Sequence, residues 1–391
     1  MKKNLEFSQD FLFGSATAAY QVEGGNVYSD WADFYPAGIA CDHYHRFKED
    51  FDWILKLNQN AHRFSIEWAR IEKKEGEFDK KEIDHYREVL LYLKKRNIKT
   101  MVTLFHFTLP KWFAKKGAFA KKKNIFYFQR FANRIFDEYK DLVDFWITIN
   151  EPQVYAAQSF LIKLWPPKKG NPVLYFKVLK NLILAHKLIY KHFHQKSDSV
   201  FVGIAKNNQY FEPFSKRSIL DKLVTKIAQW WQNEWFLTHI KNYLDFIGLN
   251  YYFHNRIKFP FFIRNENKIV SDIGWEVYPK GIYYVLLELK KYSLPIYITE
   301  NGIADKEDIL RENFIRDHLY WINKAIGQKV DVRGYFHWSL IDNFEWEKGF
   351  DPRFGLIEID YKSLERKPRK SAFYYAQICK NNQLKLNHLM T

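Results

Sequence analysis

Short apolar runs alternate with long amphipathic ones from one end of the chain to the other. Eight runs read as strands: FLFGSATA (11–18), AHRFSI (61–66), KTMVTLFH (99–106), DFWITINE (144–151), VFVGIAKN (200–207), DFIGLNYY (245–252), PIYITENG (295–302) and VRGYFHWS (332–339). Most are nearly continuous in apolar residues, as strands buried on both faces are. The segments between them carry helical spacing. HRFKEDFDWILKLN sets Phe47, Phe51, Ile54 and Leu55 at helical intervals. Asp79 precedes KKEIDHYREVLLYLKKRN as an N-cap, with lysine and arginine gathered at the far end. IFYFQRFANRIFDEYKDLV follows the third strand. Pro172 takes a first-turn position in PVLYFKVLKNLILAHKLIYKHF, after the fourth. SILDKLVTKIAQWWQNEWFLTHI, GIYYVLLELKKY and KEDILRENFIRDHLYWINKAI follow the next three, and KPRKSAFYYAQICKNN closes the chain.

Eight repeats of strand then helix predict an α/β chain folded as a single (β/α)8 TIM barrel, one catalytic domain over residues 1–391. An open doubly wound sheet would want a glycine-rich phosphate turn after an early strand, and neither GxGxxG nor a P-loop pattern occurs.

Composition narrows the function classes. Lys+Arg exceed Asp+Glu by 61 − 45, a net charge of +16. The lysines are spread over helical segments, and the densest group, Lys115, Lys116 and Lys121 to Lys123, falls in a connection. This is a solvated surface, and no nucleic-acid partner is expected. Cys41 and Cys379 match no metal spacing, and no cofactor is expected. MKKNLEFSQDFLF has no sustained apolar core, and no run reaches the about eighteen apolar residues of a spanning helix. A soluble cytoplasmic protein without a membrane partner is the expectation. Aromatics make up 19% of the chain, mostly core filler, although aromatic faces also suit sugar rings.

In such a barrel the chemistry sits where the strands end. The seventh strand ends in ITENG, presenting Glu300, and the fourth in ITINEP, presenting Asn150 and Glu151. Two equivalently placed glutamates suggest paired carboxylates at one mouth. Gln21, Arg63, Glu67, His106, Asn207, Asn250, Tyr252 and Trp338 stand near other strand ends.

With these residues the chain resembles glycoside hydrolase family 1, the β-glucosidase and β-galactosidase family. The matching stretches are FLFGSATAAYQVEGG, CDHYHRFKEDF, RFSIEWARI, ITINEP, DFIGLNYY, IGWEVYPKGI, YITENG and HWSLIDNFEWEKGFDPRFGLIEID, in the family's order over nearly the whole length. The resemblance implies hydrolysis of β-glycosides with retention of configuration and no metal. Glu300 matches the nucleophile and Glu151 the acid/base; Arg63 and Tyr252 match the groups that keep the nucleophile ionised and aimed. Gln21, His106, Asn150, Asn250, Glu345 and Trp346 match sugar-holding positions and Trp338 the stacking platform; Trp275, and more loosely Trp165, are expected to line the aglycone side. The expected ligand is a β-glycoside or short oligosaccharide. Its sugar is unphosphorylated, because Glu345 in FEW would repel a 6-phosphate. Glucose, galactose and fucose configurations all remain open. A transglycosidase would share the glycosyl-enzyme, and a non-catalytic sugar-binding barrel would lack one of the two glutamates. Glu67, in SIEW, reads as a buried carboxylate paired with an arginine as readily as anything else.

The chain departs from the family in two ways. The usual HWDLP reads HFTLP, with Phe107 for the tryptophan. The chain is also shorter between Gly25 and Asp42, after Glu151 and after Tyr252, loops that build the aglycone side. The mouth is then more open, or completed by another subunit in a homo-oligomer.

Overall fold

The computed structural model describes residues 4–385; the ends, 1–3 and 386–391, lie outside it, including the first three residues of MKKNLEFSQDFLF and the last six of the predicted domain. Eight parallel strands close into a barrel: β1 Leu12–Ala16, β2 Ala61–Ser65, β3 Lys99–Phe105, β4 Phe145–Asn150, β5 Val202–Asn207, β6 Phe246–Asn250, β7 Ile296–Asn301 and β8 Val332–Trp338. Each pairs with its neighbours in chain order, and β8 closes on β1 through pairs such as Phe336 with Gly14. Every predicted strand is present, trimmed by one or two residues at one or both ends.

The strands are buried on both faces, which explains their apolar runs. Ala61, Met101, Ile147, Phe246, Tyr297 and Phe336 form a cluster with one residue from each of six strands, separate from the larger core between strands and helices. Asp79 caps the helix Lys80–Lys94 by accepting from Lys81 N at 3.0 Å. Asn171 caps Pro172–Lys196, where Pro172 takes the first turn as predicted. The helical run after β5 is continuous in sequence but not in hydrogen bonding. Ile219–Gln229 and Trp235–Ile240 are joined by a π-helical stretch, Trp230–Glu234.

Two helices start later than their sequence patterns. The one read from Lys306 begins at Arg311, because the Asp305 carboxylate takes the N–H groups of Leu310 and Arg311 at 2.8 and 2.9 Å. The last begins at Lys370, because Arg366–Pro368 pairs as a strand with Ile357–Ile359. A small sheet not apparent in the sequence joins Tyr210–Pro213, His254–Lys258 and Phe262–Ile263 beside the mouth. Among the described residues no helix is long and apolar enough to cross a membrane.

Candidate active site

All the residues singled out at strand ends fall at the C-terminal mouth of the barrel. There a cavity of about 240 Å³ is lined by His106, Glu151, Tyr252, Trp275, Glu300, Trp338, Glu345 and Trp346, among others. Gln21, Arg63, Asn150 and Asn250 stand just behind this lining and hold it.

Glu300 is the next-to-last residue of β7 and is buried. Arg63 on β2, 1% exposed, donates Nη1 to Glu300 Oε1 and Nη2 to Asn150 Oδ1, the latter at 2.6 Å. Tyr252 donates its hydroxyl to Glu300 Oε2 at 3.0 Å. Each carboxylate oxygen therefore has its own donor. Asn301 is the last residue of the strand and anchors it, donating Nδ2 to the Tyr251 carbonyl at 2.7 Å. Gly302 serves close approach, since a Cβ there would collide with the Trp338 carbonyl oxygen.

Glu151 follows β4 with φ +42°, and Pro152 then opens the helix Pro152–Phe160. A non-glycine residue in the left-handed region is uncommon and frequently marks a functional position. Glu151 Oε1 accepts from Asn250 Nδ2 at 2.8 Å and from Asn207 Nδ2 at 3.2 Å. Asn250 also donates to Asn150 Oδ1 at 3.2 Å and accepts from the Thr299 hydroxyl at 2.6 Å. It braces the acidic residues and does not line the cavity.

The two glutamates differ in what surrounds them. Burial and the Glu300 charge push Glu151 up to about 7, opposed mainly by the two amides. Burial also pushes Glu300 up, but it is opposed first by the Arg63 charge and then by donors from Arg63, Tyr252 and Asn250. A proton shared by the pair therefore belongs on Glu151. Burial beside Glu300 raises the Tyr252 phenol far above its usual range, so it stays a donor.

Two of the remaining residues, Gln21 and His106, carry unpaired polar atoms. Gln21 Nε2 donates to Asn343 Oδ1, the Phe344 carbonyl and Glu345 Oε2, leaving Oε1 buried without a partner. His106 Nε2 is 3.2 Å from Asn150 Nδ2, and its Nδ1 is buried without a partner. Buried unpaired groups are costly, and a ligand offering hydroxyls would satisfy both. Trp338 lies against His106, ring centres 6.0 Å apart, and its peptide bond to Ser339 is cis. Burial, Glu347 and Glu300 raise Glu345 to about 8.

Glu67 does not pair with an arginine. It accepts from the Thr108 hydroxyl at 2.8 Å and from Ala69 N at 3.2 Å, while the neighbouring Arg70 pairs with Glu23 at 3.0 Å. Burial beside Glu23 pushes Glu67 up to about 8. Phe107 is buried with φ +72° and packs on Trp165, ring centres 4.8 Å apart. Trp165 lines the cavity and donates Nε1 to Glu347 at 2.6 Å. A tryptophan from the shortened loop thus backs the phenylalanine of HFTLP. Sequence reasoning had not placed Glu347, Gln209 or Phe253 in the lining. For Glu347 a signal was available two positions after Glu345.

A family model described as "Glycosyl hydrolase family 1" matches residues 3–242 and 237–384. A solved structure, a beta-glycosidase from Pyrococcus horikoshii, is 38% identical and superposes with a TM-score of 0.94, covering 98% of this chain and 97% of that one. A beta-glucosidase from Thermotoga maritima in complex with glucoimidazole is 32% identical with a TM-score of 0.91, over 96% and 99% of the two chains. The Thermotoga maritima protein named Beta-glucosidase A is 33% identical over 97% of this chain and 99% of its own length.

Proposed function

The chain belongs to glycosyl hydrolase family 1, and from that footing we propose that it is a retaining exo-β-glycosidase acting on unphosphorylated β-D-glucosides, with galactosides and fucosides as further substrates. The observation that carries the reading is the unequal environment of the two glutamates. Glu300 has a guanidinium and a phenol; Glu151 has only neutral amides. That arrangement suits one ionised and one protonated carboxyl, as a retaining glycosidase requires.

In the first step a Glu300 carboxylate oxygen bonds to the anomeric carbon. The bond from that carbon to the leaving oxygen breaks, and Glu151 gives its proton to that oxygen. In the second step Glu151 takes a proton from water, the water oxygen bonds to the anomeric carbon, and Glu300 leaves as a carboxylate. Arg63 fixes Glu300 and Asn150 together, so nucleophile and sugar-holding amide keep one register. Gln21 Oε1 and His106 Nδ1 would take up hydroxyls of the non-reducing sugar, and Trp338 would supply its apolar platform. Glu347 lines the cavity and lies 3.9 Å from Lys348, the cation beside it in the lining, so a phosphorylated sugar would have to compete with a carboxylate for that charge. The names of the relatives support a glucoside as the first substrate to try. The whole barrel is proposed as one catalytic unit.

A panel of aryl β-glucoside, β-galactoside, β-fucoside and 6-phospho-β-glucoside tests this reading. Turnover of the first three without the fourth is expected. Turnover of the 6-phospho substrate alone would overturn the sugar assignment.

A further inference from the structure

Lys206 is 1% exposed on β5, in a run whose neighbours Ile204 and Ala205 are apolar. A leucine or methionine would fill such a place without the cost of burying an ammonium group. Its Nζ donates to the Asn207 carbonyl at 2.9 Å and to the Gln232 carbonyl. Gln232 lies in the π-helical stretch Trp230–Glu234, a kind of irregularity often found beside functional sites.

The same groups converge on Asn207. Gln232 Nε2 donates to the Asn207 carbonyl at 3.0 Å and reaches its Oδ1 at 3.5 Å. Gln209 Nε2 donates to Asn207 Oδ1 at 3.2 Å. With Oδ1 committed on that side, Asn207 presents Nδ2 to Glu151 Oε1.

We propose that Lys206 is a positioning residue for Glu151. Its ammonium group anchors the Trp230–Glu234 stretch so that Gln232 and Gln209 hold Asn207 against Glu151, and its charge favours the ionised Glu151 that the second step needs. The inference rests on the acid/base reading of Glu151. Burial lowers Lys206 to about 7, opposed by the Glu151 charge, so each group feels the other. The other charged groups around this network are Glu300 and Arg63 beyond Glu151, and two carboxylates on the helix side. Glu288 accepts from Gln229 at 2.6 Å and Asn233 at 3.1 Å, and Glu234 pairs with Lys291 at 2.6 Å.

The test is the pH profile of kcat and kcat/KM on an aryl β-glycoside for Lys206→Met, Lys206→Arg and Gln232→Leu, with Glu151→Gln as control. Removing a cation makes Glu151 harder to ionise. Lys206→Met should therefore move the basic limb of kcat/KM up by about half a pH unit or more and lower kcat more than it changes KM. Lys206→Arg should restore the position of the basic limb. Gln232→Leu, which keeps the cation, should lower kcat while leaving that limb nearer the wild-type pH. A folded Lys206→Met whose basic limb stays in place would reduce the residue to packing and overturn the proposal. Should Lys206→Met not fold, wild-type kcat in Gln232→Leu would overturn it. A basic limb that persists unchanged in Glu151→Gln would overturn the acid/base reading itself, and the inference with it.

Discussion

Tyr252 donates its hydroxyl to Glu300 Oε2 at 3.0 Å, the oxygen that Arg63 leaves free. A hydrogen bond to a charged group is worth about 1.5–3 kcal/mol. If that bond is kept through the transition state, Tyr252→Phe should lower kcat/KM by about ten- to a hundredfold. Losing a donor to the ionised form also raises the carboxyl pKa, so the acidic limb of the profile should move to higher pH. An unchanged acidic limb would mean that Tyr252 does not tune Glu300.

Glu300→Gly removes the attacking oxygen and leaves the sugar-holding residues in place. Turnover should fall by well over about a thousandfold, because the covalent route is lost. Binding of a ground-state glycoside, measured by calorimetry, should remain. Wild-type turnover in this variant would refute the nucleophile assignment.

The basic limb of kcat/KM should lie near pH 7, where Glu151 titrates. Activity needs the protonated form in the first step, so it is present below that pH and lost as pH rises through it. Glu151→Gln should lower the rate by about a hundred- to ten-thousandfold, most severely with poor leaving groups. A basic limb set far above pH 7 in the wild type would contradict this assignment.

Glu67 gives a stability prediction. Its folded pKa, about 8, lies above that of an unfolded glutamate, so the folded chain binds the extra proton between the two. Stability from this group is fully present at pH 4 and declines as pH rises through 8. Glu67→Gln resembles the protonated form. Its melting temperature should match the wild type near pH 4 and exceed it at pH 8. Equal melting temperatures at both pH values would show that Glu67 does not titrate on folding.

The barrel was legible because a strand buried on both faces has no polar alternation to obscure it, and all eight runs lie within a residue or two of the observed strands. The two glutamates were legible because each ends such a run. The sequence pattern said less where a side chain overrides local preference. Asp305 delays a helix by capping at Leu310 and Arg311, and Arg366–Pro368 gives up helical continuity to pair with Ile357–Ile359. Long-range partners were beyond it: Glu67 meets Thr108 across 41 positions, and Trp165 meets Glu347 across 182. Lys206 left a visible signal, a lysine inside an apolar strand, but its purpose depends on a carbonyl in the π-helical stretch 26 positions away.

The central claim is that Glu300 forms a bond to the sugar and that Glu151 then directs water to the opposite face, the one the leaving group departed from. Proton NMR of the first turnovers on an aryl β-glucoside tests it directly, before the released sugar equilibrates between its anomers. Double displacement predicts that the β-anomer appears first, with the α-anomer growing in later. An α-anomer released first would contradict the covalent route and the roles given to both glutamates.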